Sequence, residues 1–219
     1  MDNTPDSVKQ LLASEDYGDR ISAVNQMRQL DPADALGLLC QAAEDNHARV
    51  RYAAVSQIAN VGNQDRERVL ALLKKALLTD AEVDVRAAAA DSLGALQFTE
   101  AFDDLKIVYE ETADWLLQFS ILAALGELGD PRSFDLLKDA LSADNQLFRT
   151  AAIGALGELE NAEAIPLLLP FVEDSDWQTR LRLAQALSHF DEHPEVKQAL
   201  EKLAGDEFDA VAQAAQAHL

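Results

Sequence analysis

The chain is poor in cysteine, tryptophan, tyrosine, proline and positive charge. It has one cysteine, two tryptophans, three tyrosines and six prolines in 219 residues. A single thiol, Cys40, cannot form an internal disulfide, which fits a reducing compartment such as the cytoplasm. Lys and Arg number 18 against 39 Asp and Glu, a formal net charge of −21. Such a chain repels phosphate, which argues against nucleic acid and against anionic membrane surfaces as partners. The acidity by itself is read as solubility, and no basic partner follows from it. The longest apolar run, AIPLLLPFV over 164–172, is too short to cross a bilayer and contains two prolines. The opening MDNTPDSVKQ is acidic and polar, unlike a secretory signal or a transit peptide. A glycine-rich phosphate loop, a serine nucleophile elbow and a zinc-type cysteine pair are all missing. His189 and His193 stand four apart, a spacing that ligates metals on a helix, but Pro194 follows at once and no third ligand is evident. No catalytic residue and no metal site are therefore expected.

What is present is a repeat. Ala and Leu dominate and β-branched residues are few, which favours helix. One pattern recurs from end to end: Asp, then Val-Arg six residues on, then Ala-Ala and a Leu-Gly-x-Leu close. It is clearest in DNHARVRYAAVSQIANVG (45–62), DAEVDVRAAAADSLGAL (80–96), DNQLFRTAAIGALGEL (144–159) and DSDWQTRLRLAQALSHF (174–190). Degenerate copies lie at 16–30, 113–129 and 206–219. The arginine column reads Arg20, Arg51, Arg86, Gln118, Arg149, Arg180, Ala212, at intervals of 31, 35, 32, 31, 31 and 32. Between the copies lie second amphipathic stretches such as RVLALLKKALLTD and SFDLLKDALSAD. Each period is thus a helix pair, A then B, and neither helix can bury its apolar stripe without the neighbouring pairs. The expected fold is all-α, an α-solenoid of about seven short helix pairs forming one domain over 1–219, with repeats near 6–31, 32–62, 64–97, 99–129, 131–160, 162–191 and 194–219.

The period and the D…VRxAAxxxLGxLGD signature resemble HEAT repeats of the short kind called PBS-lyase HEAT-like, and the resemblance covers all seven copies. It implies a single right-handed superhelix. It also implies an Asp–Arg ladder between neighbouring repeats, here Asp45, Arg51, Asp80, Arg86, Asp174 and Arg180. The Asp residues are expected at helix N-termini, where free N–H groups and the helix dipole favour a carboxylate.

Counting helix B from the arginine column as zero, positions −1, +3, +7 and +10 are apolar and form the core stripe, as in Val50, Ala54, Ile58, Val61 and in Leu117, Ile121, Leu125, Leu128. The opposite face holds positions −3, +1, +5, +8 and +12, and the resemblance places it on the concave wall. That face carries Tyr17, Ile21, Tyr52, Trp115, Phe119, Trp177 and Leu181 among small residues such as Gly126, Gly154 and Gly157. Tyr17/Ile21, Trp115/Phe119 and Trp177/Leu181 are four apart and lie side by side. An aromatic at a helix start can equally pack under the A–B turn or against the next repeat, so each one taken singly stays open. As a set they are expected to form a ligand or peptide groove, with Arg28 and Arg49 beside it.

The family implies binding to phycobiliproteins, with phycocyanobilin as a candidate ligand in the groove, during phycobilisome disassembly or remodelling. No cofactor is required. An open-chain tetrapyrrole is flat and apolar with two carboxylates, which aromatic walls and Arg28 or Arg49 would suit. Two alternatives remain open: a bilin lyase subunit acting on phycobiliproteins, and a generic protein–protein scaffold, for example in iron–sulfur assembly. The His-Glu dipeptides of HEAT-like metal-dependent hydroxylases are absent. Cys40 reads as a packing residue of helix A, or as a thiol that transiently holds a bilin or ligates iron–sulfur.

Overall fold

The computed structural model describes residues 4–219. Those residues form fourteen α-helices and no strand. The pairs are α1 (Pro5–Leu12) with α2 (Tyr17–Gln26), α3 (Pro32–Ala42) with α4 (Ala48–Ile58), and α5 (Arg66–Thr79) with α6 (Val83–Ala95). They continue as α7 (Phe102–Glu111) with α8 (Trp115–Glu127), then α9 (Ser133–Ala140) with α10 (Gln146–Glu158). The last two are α11 (Ile165–Leu168) with α12 (Trp177–Leu187) and α13 (Pro194–Leu203) with α14 (Asp209–Gln216). The shortest helix is where the prolines are. Pro166 is accepted in the first turn of α11, but Pro170 removes an interior N–H, and the chain tightens into a 3₁₀ turn over Leu169–Glu173.

The chain divides into two compact units, Met1–Ile121 and Leu122–Leu219. In the first, helices B pack on one another in order, α2 on α4 and α4 on α6; in the second, α10 packs on α12 and α12 on α14. The core stripe lies where the period puts it. Val50, Ala54 and Ile58 are wholly buried, as are Leu117, Ile121 and Leu125. Each buried Leu or Ile contributes about 2 kcal/mol relative to exposure. Val61, the fourth residue of the repeat-two stripe, is only half-buried because α4 has already ended at Ile58.

The turn between helices A and B is closed by side chains, in a way that corrects the expected capping. The N-cap residues are Asp16, Asp114, Asn145 and Asp176, which accept N–H groups of the first turn, with His47 Nδ1 accepting from Arg49. The repeat-motif aspartates stand two residues earlier. Asp45, Asp80, Asp174 and Asp206 each accept the N–H two residues on, at 2.8, 2.9, 2.8 and 2.9 Å, which is an Asx turn leading into the cap.

Among the described residues three ladder links form. Arg20 reaches Asp45, Arg51 reaches Asp80 and Arg180 reaches Asp206, each through Nε and Nη2 to both carboxylate oxygens. Each arginine also donates Nη1 to carbonyls of its own A–B turn, so it fastens its repeat and the next one together. Arg86 was expected in this ladder and is not in it: its Nε donates to the Leu77 carbonyl. The aspartate column of the following repeat holds Thr112, so no carboxylate is available. Asp174 likewise serves its own turn, and its carbonyl, not its carboxylate, receives Arg180.

Candidate functional site

The helix-B positions opposite the core differ in what covers them. Tyr52 and Trp115 are 48% and 55% exposed, and neither has an aromatic stacking partner among the described residues. Tyr17 and Trp177, in the same repeat column as Trp115, are stacked instead. Tyr17 lies parallel to the His47 ring at 4.0 Å, and Trp177 lies on Phe208 at 5.5 Å with Arg180 over the other ring. In both stacks the partner is the capping residue of the next helix B, and Tyr17 remains 42% exposed beside it. Phe119, Ile21 and Leu181 are half-buried.

In the first unit this face carries two depressions of about 410 Å³ each. One lies between α2, α4 and α6 and is lined by Ile21, Arg49, Tyr52, Glu82 and Asp84 over Ala48, Ala53 and Val85. The other lies between α4, α6 and α8 and is lined by Tyr52, Asp84, Asp91, Leu116 and Ser120 over Ala87 and Ala88. Tyr52 and Asp84 belong to both, so the two join at the tyrosine. The small floor of α6 makes the hollow: Val85, Ala87 and Ala88 are buried and leave no side chain to fill it.

Arg28 is not part of this surface. It lines a separate depression of about 330 Å³ with Met27, Leu30, Pro32 and Gln57, so the two arginines do not converge on one ligand. The glycines named with the face are also misplaced as an open floor. A Cβ on Gly126 would stand 2.6 Å from Ala155 Cα, and one on Gly157 would stand 2.7 Å from Ala186 Cα. These glycines are where successive helices B touch. Gly154 is covered by the Arg182 guanidinium, which also donates to Glu158 at 3.2 Å.

The residues that sequence reading missed are acidic: Glu82, Asp84 and Asp91. In a chain with 39 carboxylates nothing marked these three, although Asp91 occupies the +5 position of the outward face. The walls of the second depression crowd Asp91 while leaving it open to solvent at the mouth. That desolvation pushes its carboxyl up to about 6, against the hydroxyl of Ser120, which stabilises the ionised form. The sign follows. Above pH 6 its ionisation counts against the folded state, and the penalty disappears as pH falls toward the ordinary aspartate value. Asp91→Asn should therefore melt above the parent protein at pH 8, with the difference vanishing near pH 4, as calorimetry at the two pH values will show. Cys40 is buried, and burial raises its thiol, so it is a packing residue with no nucleophilic thiolate. No group of His, Cys, Asp and Glu among the described residues could hold a metal ion, and no helix among them is long and apolar enough to cross a membrane.

Stacked helix pairs joined through their arginine–aspartate links, with a helix face left open, define a repeat scaffold. The sequence matches the HEAT-repeat family over residues 4–94, 70–156 and 140–219, and the chain belongs to that family. Among curated proteins none matches this chain in sequence. In structure the chain is similar to the CpcE–CpcF complex of phycocyanin lyase from Nostoc sp. PCC7120, at 21% identity and TM-score 0.64, covering 99% of this chain and 95% of that one. It is also similar to YibA of Escherichia coli (17%, TM-score 0.62, 96% and 80%). An archaeal HEAT-like repeats protein from Thermococcus onnurineus NA1 is a further match (14%, TM-score 0.57, 98% and 95%). At these identities the likeness is one of fold.

Proposed function

We propose that the protein is a non-catalytic HEAT scaffold that docks a protein partner on the helix-B face of its first unit. The observation that carries this is the pair of exposed, unstacked aromatics, Tyr52 and Trp115, on a face where Tyr17 and Trp177 each stack on a ring of the next repeat. An exposed Tyr or Trp beside a preformed hollow is the usual anchor of a protein interface, because it buries much area at little cost in conformational entropy.

The finer reading is that the partner is a phycobiliprotein. It rests on the PBS-lyase HEAT-like repeat type, and on a size and repeat number similar to the phycobilisome-degradation protein NblB. Direct capture of phycocyanobilin draws less support from the lining. Around Tyr52 three carboxylates face one arginine, Arg49, whereas a bilin brings two carboxylates of its own. Any contact with pigment rests on the family resemblance.

Purified phycocyanin on an interferometry surface tests the reading. Tyr52→Ala and Trp115→Ala should each weaken binding about tenfold, the size of an interface anchor, with the melting temperature unchanged. Binding that ignores both substitutions would remove this face as the docking site. Absence of any binding would remove the phycobiliprotein. Addition of phycocyanobilin alone, read by Trp fluorescence and bilin absorbance, separates a pigment binder from a pure scaffold. Chromophore transfer with turnover would instead make the protein a lyase.

A further inference from the structure

The joined depressions around Tyr52 have a charge that selects their occupant. Glu82, Asp84 and Asp91 line them, and Arg49 is the one cation in the lining. Asp84 forms no ion pair among the described residues, and Asp91 receives only the Ser120 hydroxyl. Elsewhere in this unit buried carboxylates are neutralised by design of the repeat: Asp45 by Arg20 and Asp80 by Arg51. Here two exposed carboxylates, Asp84 and Asp91, line the hollow between α4, α6 and α8, and no cation is in its lining. Between them stands the Tyr52 ring, half exposed over a floor of alanines.

We infer that the hollow between α4, α6 and α8 receives lysine or arginine side chains from a basic, extended segment of the partner protein. This deepens the docking reading above and rests on it. The carboxylates supply charge-assisted hydrogen bonds, and the Tyr52 face supplies a cation–π surface for the same side chain. A bare metal ion suits the hollow poorly, since two carboxylates line it and no group of three or more His, Cys, Asp or Glu among the described residues could hold one. Two hollows meeting at Tyr52 suit successive side chains of one segment, and Arg49 in the lining of the other hollow disfavours a second positive charge there. The formal charge of −21 draws such a segment in and speeds its encounter.

The test is fluorescence anisotropy at physiological ionic strength, adding the full-length chain to a labelled peptide that alternates Arg with Leu. The same peptide with Glu in place of Arg, and spermine as competitor, complete the set. The Arg peptide should bind, and Asp84→Asn with Asp91→Asn should weaken it about tenfold or more through loss of both charge-assisted bonds. Asp135→Asn with Asp139→Asn removes the same charge from the exposed face of α9 and should change affinity by less than about twofold, the effect of net charge alone at this ionic strength. Tyr52→Ala should cost a further loss of about fivefold. All four aspartates are exposed, so the Asn variants keep their fold, which circular dichroism verifies.

Equal losses in the two double variants would reduce the effect to net charge and overturn the inference. So would binding of the Glu peptide, or failure of the Arg peptide to bind. Spermine that binds as tightly, with the same dependence on Asp84 and Asp91, would replace the protein segment with a small polycation. The docking reading fails separately: a phycocyanin complex sensitive to Trp115→Ala and Tyr52→Ala but indifferent to the Asn pair keeps the face and sinks only the basic segment.

Discussion

Gly157→Ala should lower the melting temperature by roughly 6–12 °C, although alanine is the better helix former. The new methyl would stand 2.7 Å from Ala186 Cα and 2.9 Å from its carbonyl oxygen, so the obstacle is backbone and not a side chain that can turn away. Helices α10 and α12 would have to part along their line of closest approach. Overpacking of this kind costs about 3 kcal/mol net, more than the roughly 1 kcal/mol that Ala gains over Gly in a helix. At this chain length each kcal/mol moves the midpoint by about 2–4 °C. Gly126→Ala, with its Cβ 2.6 Å from Ala155 Cα, should behave alike. Gly37→Ala is the control of opposite sign. Gly37 is exposed in the middle of α3, and a Cβ there meets nothing within 4 Å, so this change should stabilise by about 0.5–1 kcal/mol. Thermal melts followed at 222 nm measure all three; a neutral Gly157→Ala would mean that the two helices part without cost.

Asp206→Ala should be about as damaging, for an electrostatic reason. Arg180 holds both oxygens of Asp206, at 2.6 and 3.0 Å, and the two side chains keep only 10% and 8% of their surface in water. Removing the carboxylate leaves a guanidinium that has lost most of its hydration and keeps one carbonyl partner, Asp174. Stranding one member of a buried pair costs about 3 kcal/mol, so denaturant midpoints should fall accordingly. Replacing both, as Arg180→Met with Asp206→Leu, should recover most of that loss, because no charge remains to be solvated. Lys75→Ala breaks an ion pair with Glu44 in which both side chains are mostly exposed, and it should stay within about 0.5 kcal/mol of the parent.

The same pair sets a pH dependence. The Arg180 guanidinium holds Asp206 below the usual carboxylate range, and Arg51 does the same for Asp80. A depressed folded-state value means that stability is fully present above the unfolded aspartate pKa, near about 4, and is lost as pH falls through the lower folded values. Asp206→Asn should therefore flatten the fall in stability below pH 4. Asp91 acts with the opposite sign and in a higher window, between about 4 and 6.

How far the sequence could be read depended on which neighbours a residue needs. Helix pairs, their order and the Val50–Ala54–Ile58 stripe follow from the period alone, since 3.6 residues per turn and an apolar column leave one face to bury. Turn chemistry was legible only in part. The motif aspartates were seen, but whether each one caps, closes an Asx turn or links to the next repeat depends on atoms two residues and one whole repeat away. Arg86 shows this, with the motif intact in its own repeat and the carboxylate missing at Thr112.

The site was harder still. Tyr17, Trp115 and Trp177 are one column in sequence, yet Tyr17 and Trp177 each stack on a ring of the next repeat, His47 and Phe208, while Trp115 has no such partner and is 55% exposed. Glycines of the outward face looked like open floor, and Gly126 and Gly157 are contact points between helices. The acidic lining around Tyr52 was invisible because any one carboxylate among 39 looks like another until the fold places three of them about two joined hollows. By itself the sequence determined the helix-pair architecture and the buried stripe, because a repeat states its local environment seven times over. Tertiary structure alone decided which outward side chains are covered, which glycines bear contact and where charge gathers, because those depend on the distance between neighbouring repeats.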